Sequence, residues 1–413
     1  MRKTFLPFSP PLIGEEEIAE VVNTLRSDWI TTGPKVKKFE QEFASAVDAP
    51  AALALNSCTA ALHVALKTLD IGPGDSVITT PMTFCSGVHV IEHVGARPVL
   101  VDVDPKTLNL DPARVRETLR KMREASARQF SVRAILLVHL YGHACDMDPL
   151  LELAGDYGCT LIEDAAHALP ASYKGHKIGS LLHASIPALT CFSFYATKNM
   201  TTAEGGMLTG AAHLVDRARI WSLHGMNRDA WKRYSSTGAW HYDVDCAGFK
   251  YNMTDIQAAI GLHQLRKLPA FHRRRKEIAE RYSAAFQAID ELETPAPELW
   301  AGHAWHLYVL RLRPEMLNIT RGEFVAELHK LNIGTSVHFI PIHLHRYYRE
   351  KYGYAADDFP VANNAYQRMF SLPCSPRMSD TDVEDVIAAV KEIVEKHRRP
   401  TVVPVKGMAA GAS

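Results

Sequence analysis

The segment Leu161-Ile162-Glu163-Asp164-Ala165-Ala166-His167 places two adjacent carboxylates after an apolar run, with a histidine three positions beyond the second. An Asp fixed at a strand end can keep a ring nitrogen protonated, because an opposite charge within a few ångströms favours the cation. A second segment, Cys191-Phe192-Ser193-Phe194-Tyr195-Ala196-Thr197-Lys198-Asn199, is followed by Glu204-Gly205-Gly206 and carries a lysine out of an apolar run beside hydroxyl groups. In partly dry surroundings the pKa of such an amine falls, and it becomes nucleophilic toward aldehydes. The third, Asn56-Ser57-Cys58-Thr59-Ala60-Ala61, leads from an apolar run into a helix with Ala61, Leu62, Ala65, Leu66 and Leu69 along it. Ser57 is a good N-cap, and the free amides of a helix start attract phosphate. Each segment has an ordinary alternative: loop acids, a solvated lysine, a simple cap.

Together the three supply what pyridoxal phosphate chemistry requires. That chemistry needs a phosphate cup, a carboxylate under the pyridine nitrogen and a lysine for the Schiff base, all at neighbouring strand ends; the protonated pyridine then serves as an electron sink. Other cofactor motifs fail. After Gly72-Pro73-Gly74 the position that a dinucleotide fingerprint reserves for a third glycine is Val77, and no Gly-Lys-Ser/Thr occurs. His343-Leu344-His345 and His303-Ala304-Trp305-His306 lack a third and fourth ligand at useful spacing, so a structural or substrate role is expected for them in place of a metal site.

Seven short apolar runs could place these segments: Ala51 to Leu55, Ser76 to Thr80, Pro98 to Asp102, Ala134 to His139, Thr160 to Glu163, Thr190 to Phe194 and Met207 to Thr209. They alternate with helical stretches, which predicts an α/β/α layer sandwich around a mostly parallel sheet, with ligands outside the carboxyl ends of the strands. Near the start, Ile18, Val21, Val22 and Leu25 recur at helical spacing on one face. Thr254 and Gln257 form a capping-box pattern that opens a further helix, and Arg273-Arg274-Arg275-Lys276 along it reads as a solvated face. Beyond the proline-bearing segment Thr294 to Pro297, the run His306 to Leu312, a helix near Phe324 to Leu331 and a final helix Asp380 to Lys396 suggest a smaller α+β domain. The expected organisation is a large domain over 1–255, a small domain over 256–399 and a disordered, Pro/Gly/Ala-rich tail over 400–413.

Composition narrows the function classes. The 413 residues carry 46 Lys+Arg against 46 Asp+Glu, so no basic excess points to nucleic acid or an anionic membrane. Prolines interrupt the first fourteen residues, and the longest uncharged run, 178–197, is broken by Gly179 and Pro187 and interspersed with hydroxyl side chains, so neither a signal peptide nor a membrane span is expected. The seven cysteines are scattered and lack a Cys-x-x-Cys pair, which argues against a disulfide framework and for a reduced cytoplasm.

With these features in place, the chain resembles the DegT/DnrJ/EryC1/StrS family of nucleotide-sugar aminotransferases, pyridoxal phosphate enzymes of fold type I, from about Pro7 to Lys396. The similarity rests on TTGP at Thr31, GPGDSVITTPMTF from Gly72, VDVD at Val101, IEDAAHA at Ile162, SFYATKNMTTAEGG from Ser193 and GFKYNMTDIQAAIG from Gly248. AWHLYVLRL at Ala304 and GTSVHFIPIHLHRYYRE from Gly334 are most similar to the branch that aminates a UDP-4-keto-pentose on the way to 4-amino-4-deoxy-L-arabinose.

The resemblance implies a role for each matching residue. Lys198 would form the Schiff base and then shuttle the proton, Asp164 would partner the pyridine nitrogen, and His167 would stand near the cofactor's hydroxyl. Phe84 would stack on the ring, and Cys58, Thr59 and Ser193 would form the phosphate cup. Lys250 and Asn252 match a loop that crosses from the partner subunit to the phosphate, which implies a homodimer with a shared site. Thr32, His343 and Tyr347 match the substrate side. The reaction implied has two steps: L-glutamate converts the cofactor to pyridoxamine phosphate, which aminates the ketone of a nucleotide-linked keto-sugar at C4. Lys250-Tyr251-Asn252 stands where many family members read Asn-Tyr-Arg, while Phe84 in place of Trp and Ile340-Pro341-Ile342-His343 depart from the pattern of the arabinose branch. The rival readings are a deoxysugar dehydratase, whose relatives carry histidine at the Lys198 position, a non-catalytic sensor of the same fold, and a nicotinamide-dependent oxidoreductase.

Overall fold

The seven apolar runs become the seven strands of one sheet in the computed structural model, which describes residues 2–124, 131–183, 185–226 and 243–400. In chain order the strands are β1 (Ala51–Leu55), β2 (Asp75–Thr79), β3 (Arg97–Leu100), β4 (Ser131–Val138), β5 (Thr160–Asp164), the small hairpin β6 (Ser172–Tyr173) and β7 (His176–Lys177), β8 (Ala188–Ser193) and β9 (Gly206–Gly210). The large sheet has the order β1-β9-β8-β5-β4-β2-β3. β3, β2, β4, β5 and β8 are parallel, whereas β9 is antiparallel to both β8 and β1. The carboxyl ends of six strands and the amino end of β9 therefore share one edge.

Helices cover both faces of the sheet, so its strands read as nearly continuous apolar runs. The side-chain alternation along each strand sorts neighbours into opposite layers. Leu136 and Ile162 join one buried cluster with Leu62 and Leu66 of the helix Cys58–Thr68. Their neighbours Leu137 and Leu161 join the other, with Phe39 and Phe43 of the helix Pro34–Ala46. The rest of the chain adds β10 (Leu292–Glu293), β11 (Ala301–Gly302), β12 (Tyr308–Leu312) and β13 (Met369–Leu372). β10, β12 and β13 form a small antiparallel sheet, and β11 joins the β6–β7 hairpin. A third buried cluster, including Tyr282, Tyr308, Phe324, Phe370 and Val390, ties that small sheet to the helices Asp255–Phe286, Arg321–Lys330 and Asp380–His397. Among the described residues no helix is long and apolar enough to cross a membrane. The tail expected to be disordered lies, from 401 on, outside the described residues.

Local signals at two helix starts take the expected form. Thr254 Oγ1 accepts from the Gln257 amide (3.3 Å) and Gln257 Oε1 accepts from the Thr254 amide (2.9 Å), a reciprocal cap for the 32-residue helix Asp255–Phe286. Ser57 Oγ accepts from the Ala60 amide at 3.1 Å. The helix Glu15–Arg26 turns most of its apolar stripe outward: Ile18, Val22 and Leu25 are exposed and Val21 is half-buried, while Glu17 is buried, bonded to Lys267 (2.7 Å) and Gln264 (2.9 Å).

The basic run corrects the sequence expectation. Arg273 and Lys276 are exposed, but Arg275 is only 2% exposed. Its Nη1 donates to the carbonyls of Cys374, His306 (3.2 Å) and Trp305 (3.5 Å) and has no carboxylate partner among the described residues. The spacing of the run could not show this, because the acceptors come from two remote segments. Arg275→Met takes the guanidinium donor from these three buried carbonyls, of which Trp305 keeps a contact from Cys374 Sγ at 3.8 Å, and should cost about 1–3 kcal/mol. Arg275→Lys, which restores one donor, should cost less. Urea unfolding measures both; a Met variant as stable as the parent would remove Arg275 as a structural clamp.

Candidate active site

A cavity of about 510 Å³ opens at the shared strand edge. Ser57, Cys58 and Thr59 reach it from beyond β1, Phe84 from beyond β2, Asp164 from the end of β5 and Ser193 from the end of β8. His167 and Lys198 complete the set of predicted residues that the fold brings together there.

The two adjacent acids separate because consecutive strand residues face opposite ways. Glu163 turns from the cavity, accepting from Thr190 Oγ1 (3.0 Å) and pairing with buried His139 Nε2 (2.9 Å). Asp164 lines the cavity, with Oδ1 accepting from the Ala166 amide at 3.0 Å and 4.0 Å from the Cys58 thiol. Burial raises its pKa, against the stabilising pull of that amide and of Lys198. Burial likewise lowers the Lys198 amine to about 8, with Asp164 opposing the shift. Among the described residues the amine makes no hydrogen bond or ion pair.

The loop that presents Lys198 is held at both ends. The Phe194 amide donates to the Gly205 carbonyl and the Thr202 amide to the Phe194 carbonyl, each at 2.9 Å. Inside the loop, buried Asn199 donates from Nδ2 to the carbonyls of Leu169 (2.7 Å) and Ala304 (2.9 Å).

The helix start behind Ser57 supplies first-turn amides with no intrahelical partner. The Cys58 thiol points away from that turn, toward Asp164 and the Cys191 carbonyl (3.6 Å), so what Cys58 offers an anion is its amide. β9 passes so close that a Cβ on Gly206 would sit 2.5 Å from the Ser57 carbonyl and 2.6 Å from the Cys58 nitrogen. The absence of a side chain at Gly206 is what lets strand and helix start close this cradle. Helix amides with the Thr59 and Ser193 hydroxyls for an anion, a buried carboxylate and an amine of lowered pKa form the donor set that a phosphorylated pyridine aldehyde requires. The residues present fit that group.

Five predicted residues lie elsewhere. Lys250 Nζ donates to Asn252 Oδ1 (2.7 Å), Asn252 Nδ2 to Thr32 Oγ1 (2.6 Å), and Thr32 Oγ1 to the Met253 carbonyl (2.6 Å), a polar chain that does not line the cavity. His343 is wholly buried with its ring 4.8 Å from that of Phe359, because the turn after Pro341 packs it inward rather than toward a ligand. Tyr347 is exposed and donates to Glu92 at 2.5 Å, also away from the cavity. Neither His343 nor Tyr347 lines this chain's cavity.

The cavity also contains residues that the motifs did not single out, among them His306, His338 and Phe339. The rings of His167 and His306 are 4.4 Å apart, and Phe339 stacks on His167 at 5.7 Å. His167 Nδ1 accepts from the Tyr141 amide (3.2 Å), and His338 Nδ1 meets Ser371 Oγ (2.9 Å). Burial first, then nearby positive groups including Lys198, hold all three imidazoles below their ordinary pKa, His338 at about 4. Gly142 permits this packing: with φ +98°, a Cβ there would lie 2.9 Å from the His167 carbonyl and 3.2 Å from the His306 nitrogen. His306 belongs to a His-x-x-His pair whose pattern favours a structural or substrate role over metal ligation without assigning either, and His338 and Phe339 fall within a motif that draws attention to His343 instead.

Residues 11–391 match the model of the DegT/DnrJ/EryC1/StrS aminotransferase family. The spore coat polysaccharide biosynthesis protein SpsC of Bacillus subtilis is 51% identical over 396 residues, covering 95% of this chain and 98% of SpsC. Spr1654 of Streptococcus pneumoniae, a protein assigned as a sugar aminotransferase, has been solved in pyridoxamine phosphate and pyridoxal phosphate forms. The former superposes with a TM-score of 0.84 at 35% identity, over 95% of this chain and 99% of that one. PseC of Helicobacter pylori, an aminotransferase involved in pseudoaminic acid biosynthesis, superposes with a TM-score of 0.84 at 25% identity, over 95% of this chain and all of that one. The chain belongs to the DegT/DnrJ/EryC1/StrS aminotransferase family and is a pyridoxal-phosphate-dependent aminotransferase of fold type I.

Proposed function

We propose that this enzyme moves the amino group of L-glutamate to the ketone of a nucleotide-linked keto-sugar, at C4 of a UDP-4-keto-sugar, and that it works as a cytoplasmic homodimer. The observation that carries the reaction type is the enclosure of the Lys198 amine and the Asp164 carboxylate in one cavity with an open helix start. The sugar is supported by the polysaccharide role in the name of SpsC and by the assignment of Spr1654. C4 and the nucleotide are supported by the likeness of AWHLYVLRL and GTSVHFIPIHLHRYYRE to the arabinose branch. Lysine at 198 argues against the dehydratase.

When bound, the cofactor takes up the electron pair left as a proton leaves the substrate carbon. Asp164 would hold the proton on the ring nitrogen that makes this possible. Lys198 would be the base and then the acid at the reacting carbon; an amine with a pKa of about 8 exchanges protons readily near neutral pH. The Cys58 amide, Thr59 and Ser193 would hold the phosphate, and Phe84, exposed at the cavity, would cover the ring. His167 would donate to the cofactor's hydroxyl, since the Tyr141 amide makes Nδ1 the acceptor and leaves the proton of the neutral ring on Nε2. Lys250 and Asn252, with Thr32, would serve the partner's site rather than their own, in keeping with their place outside this chain's cavity. The domain reading that accompanies this proposal divides the chain after Asp255, at the reciprocally capped helix start.

The reading is tested by adding L-glutamate to purified holoenzyme and then a panel of keto-sugar nucleotides, with the amination position read by NMR. Loss of the visible cofactor band with glutamate and a 4-amino product from a UDP-sugar are expected; an unchanged band with every amino donor would leave the sensor as the better account. Lys198→Ala should lower turnover by more than about 10³-fold while pyridoxamine phosphate still binds. The apo-protein should take up the cofactor's aldehyde faster as pH rises from about 7 to 9, then level, because the amine is protonated below its pKa and neutral above it. A rate still climbing past pH 10 would mean an ordinary exposed lysine. Lys198→Ala and Lys250→Ala proteins, each with little activity alone, should recover about a quarter of the parental activity when their subunits exchange, since half the dimers are mixed and each has one intact site. No recovery after demonstrated exchange would place Lys250 outside the partner's site.

A further inference from the structure

We propose that His306 binds substrate: Asn199 holds its Nδ1–H, and its bare Nε2 accepts a hydrogen bond in the cavity from a hydroxyl of the sugar or the ammonium of the amino donor. This rests on the aminotransferase reading and adds a recognition element to the same site. The side-chain amide of Asn199, next to Lys198 in the chain, fixes the tautomer of His306. Both of its N–H groups are used, by the carbonyls of Leu169 (2.7 Å) and Ala304 (2.9 Å), so the amide cannot be reversed and Oδ1 must be the atom facing His306 Nδ1 at 3.1 Å. An amide oxygen only accepts, so Nδ1 must donate. The buried ring is neutral, and its other nitrogen therefore carries a lone pair. His306 lines the cavity, and Nε2 has no partner among the described residues and is not among the sealed unpartnered atoms.

The neighbouring ring has the opposite polarity. Tyr141's amide makes His167 Nδ1 the acceptor, so His167 offers an Nε2–H where His306 offers a lone pair, from rings 4.4 Å apart. The backbone holds the pair in register. Arg275 donates to the carbonyls of Trp305 and His306, and the Ala304 amide donates to the Gly142 carbonyl at 2.8 Å. A free Lys198 ammonium is a cation, and the amino donor and a sugar hydroxyl are hydrogen-bond donors. An acceptor in this cavity has ligands to serve without adding charge.

Two substitutions separate substrate binding from support of the loop. His306→Asn keeps a donor near the Nδ1 position for Asn199 but places nothing at Nε2, whereas His306→Gln can place an amide oxygen near Nε2 but loses the donor to Asn199. With full-length holoenzyme, His306→Asn should raise the half-saturation concentration for L-glutamate or for a UDP-4-keto-sugar about tenfold, with the rate at saturation less affected. The ligand whose value rises identifies the donor group. His306→Gln should raise that same value less. An unchanged value for both ligands in His306→Asn, or a larger rise in His306→Gln, would overturn the proposal in favour of a structural histidine. ¹⁵N-histidine NMR needs no substrate. The resonances lost in His306→Asn should report a protonated Nδ1 and a bare Nε2, unchanged from about pH 6 to 8. The opposite tautomer, or titration in that range, would also overturn it. Failure to react with L-glutamate would overturn the functional reading, while the NMR still decides the tautomer.

Discussion

Removing one amine from water is the constraint from which the rest of the site follows. An exposed lysine is protonated near neutral pH and cannot attack an aldehyde; burial penalises the cation and brings Lys198 down to about 8. The same burial acts in the other direction on Asp164, raising its pKa. Each charge moderates the other's shift, so the cavity holds a cation and an anion that are both tuned by desolvation and both restrained by their mutual attraction. A shallower site would give an ordinary lysine, and a drier one without Asp164 would push the amine's pKa further down.

Such an enclosure demands a scaffold that delivers side chains from many strands to one edge. Parallel strands do this because their carboxyl ends coincide, and here six strands share that edge. The antiparallel β9 brings its amino end to the same place, which lets the lysine loop leave β8 and return into β9 beside it. Gly206 is the steric condition for that return, because a side chain would strike the helix start at Ser57 and Cys58. The loop is then held by Asn199 from inside and by main-chain bonds at its two ends, so the position of Lys198 is set by groups that never touch a ligand.

The sheet was legible because its signal is local. Short apolar runs bounded by turns place all seven strands to within about three residues, and Ser57, Thr254 and Gln257 announce their helix starts by residue type alone. The residues around Lys198 were legible for the same reason, since Asp164, His167, Ser193 and Thr59 stand within a few positions of strand ends. What was not legible depends on contacts between distant segments. Arg275 looks like part of a solvated basic stripe until carbonyls 30 and 99 positions away converge on it. His343 and His338 sit five positions apart in one loop, and only the packing of Phe359 over the first and the cavity beside the second tells them apart. The outward face of the helix Glu15–Arg26 is a similar case: periodicity identifies a stripe but not the side on which its partner lies.

The neutrality of the three cavity histidines has a physical logic of its own. An imidazolium beside Lys198 would repel the ammonium and lower the amine's pKa further, undoing the balance with Asp164. A neutral imidazole avoids that penalty and still offers one donor and one acceptor, and the protein selects between them through the nitrogen it holds: an amide at His167, an amide oxygen at His306. Arg275 fits the same logic. Its guanidinium stands behind the His306 backbone, bonded to carbonyls with no carboxylate among the described residues to cancel its charge, and that charge helps oppose protonation of the ring. A carboxylate partner for Arg275 would weaken that opposition; carbonyl acceptors engage its Nη1 while leaving its positive field in place.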